Sequence, residues 1–164
     1  MPHTLTVLAP SRLSCVDLTP AASEFVASSG ISEGALLVFC AHTTCSILVN
    51  EWETGALEDL QVKLDELFPV DSYYAHDDLS RRTENLVAEE RRNGHSHVAQ
   101  MIMGQSSQLV PISAGELLLG RWQRIFLLEL DEPKDRTIVL HAFGQSSAQS
   151  LVTNNQNASP AYRP

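Results

Sequence analysis

Residues 117–144 read LLLGRWQRIFLLELDEPKDRTIVLHAFG, and the fold class turns on them. Two β-rich runs flank a short polar link. In the first, Trp122, Arg124, Phe126 and Leu128 fall on one side, and Gln123, Ile125, Leu127 and Glu129 on the other, the period of a pleated strand. Glu132-Pro133-Lys134-Asp135 has turn composition, and RTIVLHAFG over 136–144 is a second strand. Two strands joined by so short a link run antiparallel, so a hairpin is expected here.

Upstream, TLTVLA (4–9) and RLSCVDL (12–18) read as two more strands across Pro10-Ser11, an expected opening hairpin. Over 19–30 a short helix is predicted, with Thr19 as N-cap, Pro20 in the first turn and Gly30 as the left-handed stop. GALLVFCAHTTCSILVN (34–50) reads as one long strand or two consecutive ones. A second helix follows, capped by Asn50 with Glu53 completing a capping box. Its apolar face is Leu57, Leu60, Leu64 and Leu67, and Pro69 ends it. Residues 71–93 form a long, charged excursion with a helical turn expected near 87–92. Excursions of this length in compact domains are usually functional or disordered. A third helix begins near His97, shares a face among Val98, Met101 and Ile102, and stops at Gly104; LVPI (109–112) is a short strand and SAGE a turn. Strands and helices in this order predict an α+β fold with a largely antiparallel sheet and two to three helices. One domain spans 1–144. The remainder, 145–164, is rich in Ser, Asn and Gln with Arg163 its only charge, and predicts a disordered tail.

A net charge of -9 argues against nucleic acid as partner, because phosphate backbones need clustered cations. No apolar run approaches a membrane span, and the N-terminus has no signal-peptide pattern, so the expected location is cytoplasmic. Cys15, Cys40 and Cys45 contain no CxxC pair and read as reduced thiols.

The polar residues with chemical capacity cluster in three places. AHTTCSILVNE (41–51) puts His42, Thr43 and Thr44 where a core strand would be apolar, then Asn50 and Glu51 at a helix entry. Hydroxyls together with a helix N-terminus suit an anion, although Asn50 as a plain cap explains part of the pattern. His76-Asp77-Asp78 and Asn93-Gly94-His95-Ser96-His97 add three imidazoles and two carboxylates. His76, His95 and His97 are candidate ligands for a divalent metal, Mg or Zn, of the hydrolytic or Lewis-acid kind. Spacing of i and i+2 weakens that set, since on a helix the two rings point about 200° apart. Arg81, Arg82, Arg121, Arg124 and Arg136 are the basic residues available to a pyrophosphate. Surface ion pairs are their commoner fate. His3 and His141 read as idle and structural.

In order and spacing, HTTCSILVNE, YYAHDD, TENL, NGHSHVAQMIMG, VPISAGELLLGRWQRIFLLELDEP and the closing FG resemble the YjbQ-like family over about residues 4 to 144. The resemblance implies a homotrimer of small α+β subunits, each a β-sandwich, with a polar pocket near subunit boundaries. It implies an activity of the thiamine-phosphate-synthase type: an aminopyrimidine diphosphate is joined to a thiazole phosphate and pyrophosphate leaves. The matching polar positions are His42, Thr43, Thr44, Asn50, Glu51, His76, Asp77, Asn85, His97 and Gln123. Of these, His42, Glu51, His76, Asp77 and His97 are the expected catalytic residues. Thr43, Thr44, Asn50, Asn85 and Gln123, with His95, are the expected contacts to a small phosphorylated substrate. This chain departs from the pattern at Cys45, where Ala is frequent, at Arg121 in GRWQ, and at His95, where an acid is frequent. Two other functions compete: a metal-dependent hydrolase or lyase built on the histidines, and a non-catalytic trimer that binds a small molecule or anion.

Overall fold

The computed structural model describes residues 1–104 and 106–146. Among the described residues eight strands form two antiparallel sheets. In chain order they are β1 (His3–Ala9), β2 (Cys15–Asp17), β3 (Ile31–Cys40), β4 (Cys45–Glu51), β5 (Ser107–Ser113), β6 (Glu116–Leu117), β7 (Gln123–Glu129) and β8 (Lys134–Ser146). Helices α1 (Thr19–Ser29), α2 (Thr54–Leu67) and α3 (Gly94–Met103) and a 3-10 turn at Ala75–Asp77 complete the set among the described residues. The larger sheet has the order β1-β8-β3-β5-β6, the smaller β2-β7-β4. The antiparallel α+β expectation therefore holds.

The two expected hairpins do not form. β1 and β2 lie in different sheets, and so do β7 and β8. β7 pairs with β2 and β4, while β8 pairs with β1 and β3. β3 and β4 are likewise split between the sheets, as are β6 and β7, so among the described residues four short links each cross from one sheet to the other. Burial explains this. Every residue from Ile125 to Glu129 is buried, so β7 needs cover on both faces. Ile125 and Leu127 enter a core shared with Leu36, Val38, Ile138 and Leu140 of the larger sheet. Leu128 faces the other way, into a second core with Leu64 of α2, Phe68 and Ala99 of α3. A solvent-backed hairpin would leave one of those faces wet, and burial of a Leu- or Ile-sized side chain is worth about 1.5–3 kcal/mol.

Local corrections follow from the same packing. β4 runs through Asn50 to Glu51, so the cap of α2 is Glu53, whose carboxylate accepts the N–H groups of Gly55 and Ala56 at 2.9 Å each. Phe68 rather than Leu67 closes the buried face of α2. On α1, Leu18 occupies the cap position, and the Thr19 hydroxyl accepts the Ile125 N–H at 2.9 Å, bracing the helix on β7. α3 starts at Gly94 and buries His95, Ser96 and Ala99; Met101 and Ile102 are exposed. The excursion's helical turn is at 75–77, not 87–92. β1 begins at His3, whose ring stacks on Phe25 with centroids 5.6 Å apart. β8 runs through Ser146, so Gln145 and Ser146 of the expected disordered tail are strand. The rest of the expected tail, 147–164, lies outside the described residues.

Candidate functional site

At one end of the molecule the β3–β4 and β7–β8 crossovers lie against each other. The Ala41 N–H donates to the Thr137 carbonyl at 3.3 Å, and the Leu130 N–H donates to the Thr44 carbonyl at 3.1 Å. His42 Nε2 accepts the Thr137 N–H at 2.9 Å. An accepting Nε2 places the proton of the neutral ring on Nδ1. Burial, then the nearby Arg136 and Lys134 cations, hold the His42 pKa below its ordinary value. Thr44 is buried, and its hydroxyl accepts from Arg136 Nη2 at 3.1 Å. Arg136, a candidate anion ligand in the sequence, is instead buried in a two-bond pair with Glu129: its Nε donates to Oε2 at 2.6 Å and its Nη2 donates to Oε1. His42 and Thr44 thus hold two crossovers together, and Thr43 is the exposed residue of the motif.

Beside this junction, the 71–93 excursion folds over the start of α3. Asp77 Oδ1 accepts the Gly94 N–H at 2.9 Å, a carboxylate at a helix N-terminus as the helix dipole favours. A side chain at Gly94 would put its Cβ 2.4 Å from the Cβ of Tyr74, so this approach requires glycine. The turn brings His76 to His97, with ring centroids 4.5 Å apart. Arg82 gathers the rest of the excursion. Its guanidinium meets His76 Nε2 at 3.2 Å, donates to the carbonyls of His76, Glu84 and Asn85, and pairs with Glu90 at 2.8 Å. Since Arg is always a donor, His76 Nε2 accepts. Asn85 adopts a positive φ of 53° to offer its carbonyl. The result is a cleft of about 850 Å³ in which Thr43, His76, Asn85 and His97 stand with Arg81, Arg91 and Lys134. His97 is half-buried, and burial followed by the neighbouring His76 holds its pKa below the ordinary value.

His95 is two residues from His97 and points away from the cleft. It is 4% exposed, its ring centroid is 6.1 Å from that of Tyr74, and neither ring nitrogen has a hydrogen-bond partner among the described residues. The three-imidazole metal set therefore does not converge. Among the described residues no group of three or more His, Cys, Asp or Glu side chains is arranged to hold a metal. Asn50, Glu51 and Gln123 lie at the far end of β4 and β7, with Glu51 opposite Gln123 in the ladder. That is six residues from Cys45, or on the order of 20 Å along the strand. Asn50 Oδ1 accepts the Glu51 N–H at 2.8 Å, and Gln123 Oε1 accepts the Gly120 N–H at 2.8 Å. One chain therefore unites Thr43, His76, Asn85 and His97 in a cleft, sets His42 beside it, and leaves Asn50, Glu51 and Gln123 apart. The cleft cations that sequence reasoning missed are Arg91 and Lys134. Arg91 hid among the many charges of the 71–93 excursion, and Lys134 in a segment legible only as a turn.

The architecture is that of a small α+β domain in which two antiparallel sheets share a core and a polar, histidine-paired cleft opens at the crossover end. The chain belongs to the family described as UPF0047 protein YjbQ-like, which matches residues 3–145. It is 36% identical over 134 residues to a UPF0047 protein of Methanothermobacter thermautotrophicus, covering 82% of this chain and 85% of that one. It is 32% identical over 145 residues to the UPF0047 protein YugU of Bacillus subtilis, covering 88% and 100%. The fold is similar to the crystal structure of a YbjQ-like protein of unknown function from Sulfolobus solfataricus, at 30% identity and a TM-score of 0.77 over 88% of this chain and 97% of that one. It is similar also to a hypothetical protein from Aeropyrum pernix, at 31% identity and a TM-score of 0.76, covering 88% and 99%. Among the described residues no helix is long and apolar enough to cross a membrane.

Proposed function

We propose that the protein is a homotrimeric transferase acting on small phosphorylated substrates, with His97 as the proton-handling group of the cleft. The observation that carries this reading is the His76–His97 pair inside a cleft that also holds Arg81, Arg91 and Lys134. A half-buried imidazole that stays neutral accepts a proton near neutral pH, and the cleft's cations, which stand among the Glu84, Glu89 and Glu90 carboxylates, suit phosphate oxygens. His76 orients the pair, because Arg82 fixes its Nε2. The resemblance supplies the specific reaction. The thiazole nitrogen attacks the methylene carbon of the aminopyrimidine diphosphate, a C–N bond forms, the C–O bond breaks, and pyrophosphate carries the electron pair away. Lys134 and Arg81 are suited to receive that leaving group. Among the described residues no set of side chains fits a protein-held zinc ion.

Self-association is supported by the outer face of the larger sheet. Leu37 stands opposite Leu109, Ala35 is opposite Phe143, and Phe39 is opposite Val139. All point away from the core side of Leu36, Val38 and Val110. Leu109 is 61% and Phe143 47% exposed, and adjoining apolar side chains of this size mark an interaction surface. A second copy is also the means by which Asn50, Glu51 and Gln123 would approach a cleft.

The test is pyrophosphate release from the two phosphorylated substrates, with Mg²⁺ supplied, by wild type and His97→Gln. Release that needs both substrates and falls by about 10²-fold or more in the variant supports the reading. Release from the diphosphate alone points to a hydrolase. Binding by calorimetry without turnover points to a binding protein, and absence of binding overturns the cleft assignment. Leu109→Glu is expected to shift the sedimentation of a trimer to that of a monomer.

A further inference from the structure

We propose that Cys40 and Cys45 are a site of oxidative modification, forming a reversible disulfide in response to hydrogen peroxide and tying the two sheets together across the 41–44 crossover. The two sulfurs are 2.9 Å apart. Closing to the roughly 2.05 Å of a disulfide takes less than an ångström of approach. Cys40 is the last residue of β3 and Cys45 the first of β4, so the new bond would join the larger sheet to the smaller one. It would also close a short ring around His42 and Thr43.

The surroundings differentiate the two thiols. The hydrogen bond shared with Cys45, helped by the Arg136 guanidinium and opposed by burial, holds the Cys40 pKa below its ordinary value. The same hydrogen bond, with burial, pushes Cys45 up. The thiol that reaches the anion is the nucleophile, and the one of the pair that lines a cleft is Cys40. That second cleft, of about 460 Å³, is bordered also by Phe39, His42, Gln100 and Ser106, and it offers an approach for an oxidant as small as peroxide. Cys15 has neither advantage. Burial pushes its thiol up to about 11, and it makes no contact with another cysteine among the described residues.

In the first step the Cys40 sulfur attacks a peroxide oxygen. The O–O bond breaks, Cys40 becomes a sulfenic acid, and one water is released. The Cys45 sulfur then attacks the Cys40 sulfur. The S–S bond forms, the S–O bond breaks, and the hydroxyl leaves as a second water with the Cys45 proton. Two thiols lose two electrons and two protons, and peroxide is reduced to two waters. A cellular dithiol reverses the change by exchange. As mere packing, the pair would call for two small apolar side chains and would show no selectivity toward oxidants.

The experiment treats the full-length wild-type chain with graded hydrogen peroxide, quenches, denatures and alkylates it, and maps labels by fragmentation mass spectrometry. Untreated protein has three free thiols and takes three labels. Oxidised protein is expected to take one, on Cys15, and dithiothreitol to restore the other two. In Cys45→Ala, dimedone is expected to trap a sulfenic acid on Cys40. Retention of all three labels under peroxide overturns the proposal. So does loss of Cys15 as fast as Cys40, or a crosslink that joins two chains on a non-reducing gel. None of these readouts depends on the cleft's substrate.

Discussion

His42 Nε2 accepts the main-chain N–H of Thr137 at 2.9 Å, and so one crossover between the sheets is pinned to the strand that leaves the other. The ring nitrogen that a proton-transfer role would use most readily is already committed. His42→Ala leaves that N–H without its acceptor and is expected to lower stability by about 1 kcal/mol, read as a shift in the urea midpoint at constant slope. His42→Gln can place a carbonyl oxygen near the lost nitrogen and should retain most of the stability. Equal loss in both variants would mean that ring packing, not the hydrogen bond, matters.

Acid should destabilise the fold through its buried imidazoles. Burial is the first cause holding His95 below its ordinary pKa, with the Arg12 cation adding to it, and burial acts the same way on His42 and His97. The unfolded chain takes up these protons as pH falls through about 6.5; the folded chain does so only at lower pH. Between those points the unfolded state holds more protons, so stability is full above the unfolded pKa and falls as pH drops. Each such imidazole adds a slope of up to about 1.4 kcal/mol per pH unit. His95→Leu removes one titrating group along with two unpartnered buried nitrogens. It is expected to leave stability at pH 8 nearly unchanged and to flatten the slope between pH 7 and 5. An unchanged slope would show that His95 is not a source of the acid sensitivity.

How much of this was legible in the sequence depends on the range of the forces involved. α1 and the β5–β6 turn are local: Gly30 takes φ 72°, and Ala114 and Gly115 take positive φ in the two-residue turn, so composition sufficed. The crossovers were not legible, because the stretch from Glu129 to Arg136 has the composition of a hairpin. What separates β7 from β8 is the need to cover both faces of Ile125–Glu129, and strand alternation carries no information about a third layer. The cleft shows the same division. His76 and His97 stood out as residue types, and the i, i+2 spacing correctly separated His95 from His97. Arg82 read as a cation available to a pyrophosphate or, more commonly, as half of a surface ion pair, and the pair with Glu90 is there. Its role depends on four carbonyl and carboxylate partners between residues 76 and 90 that only the folded excursion brings together.

That role makes Arg82 the residue on which the excursion's order depends. Its side chain and that of Glu90 are each 13% exposed, and the Glu90 carboxylate also accepts the Val87 N–H at 2.6 Å. Arg82→Ala removes every one of the guanidinium's bonds at once. Hydrogen exchange over 83–90 is expected to rise on the order of tenfold, with little change in β7 or β8. Arg82→Lys should recover only part of the protection, since an ammonium cannot reproduce the planar fork. Uniformly faster exchange across the sheets would instead place Arg82 in the global stability of the domain.

The Glu129–Arg136 pair makes the strongest demand on the fold. Glu129 is fully buried and Arg136 nearly so; Glu129 Oε1 also accepts the Asp131 N–H at 2.9 Å, and Arg136 also donates to Thr44. Removing one partner strands the other charge in the interior. Arg136→Met is therefore expected to cost about 3–5 kcal/mol, enough to unfold a marginal domain. The companion variant Glu129→Gln with Arg136→Met buries no net charge and keeps a carbonyl for Asp131. It should recover a large part of that loss in thermal or urea unfolding. The double variant loses the link from Arg136 to Thr44 as well as the two bonds to Glu129, so its remaining deficit measures what the three hydrogen bonds together contribute to holding the crossovers. If the double variant is as unstable as Arg136→Met, the cost lies in the geometry of the guanidinium and not in an uncompensated carboxylate.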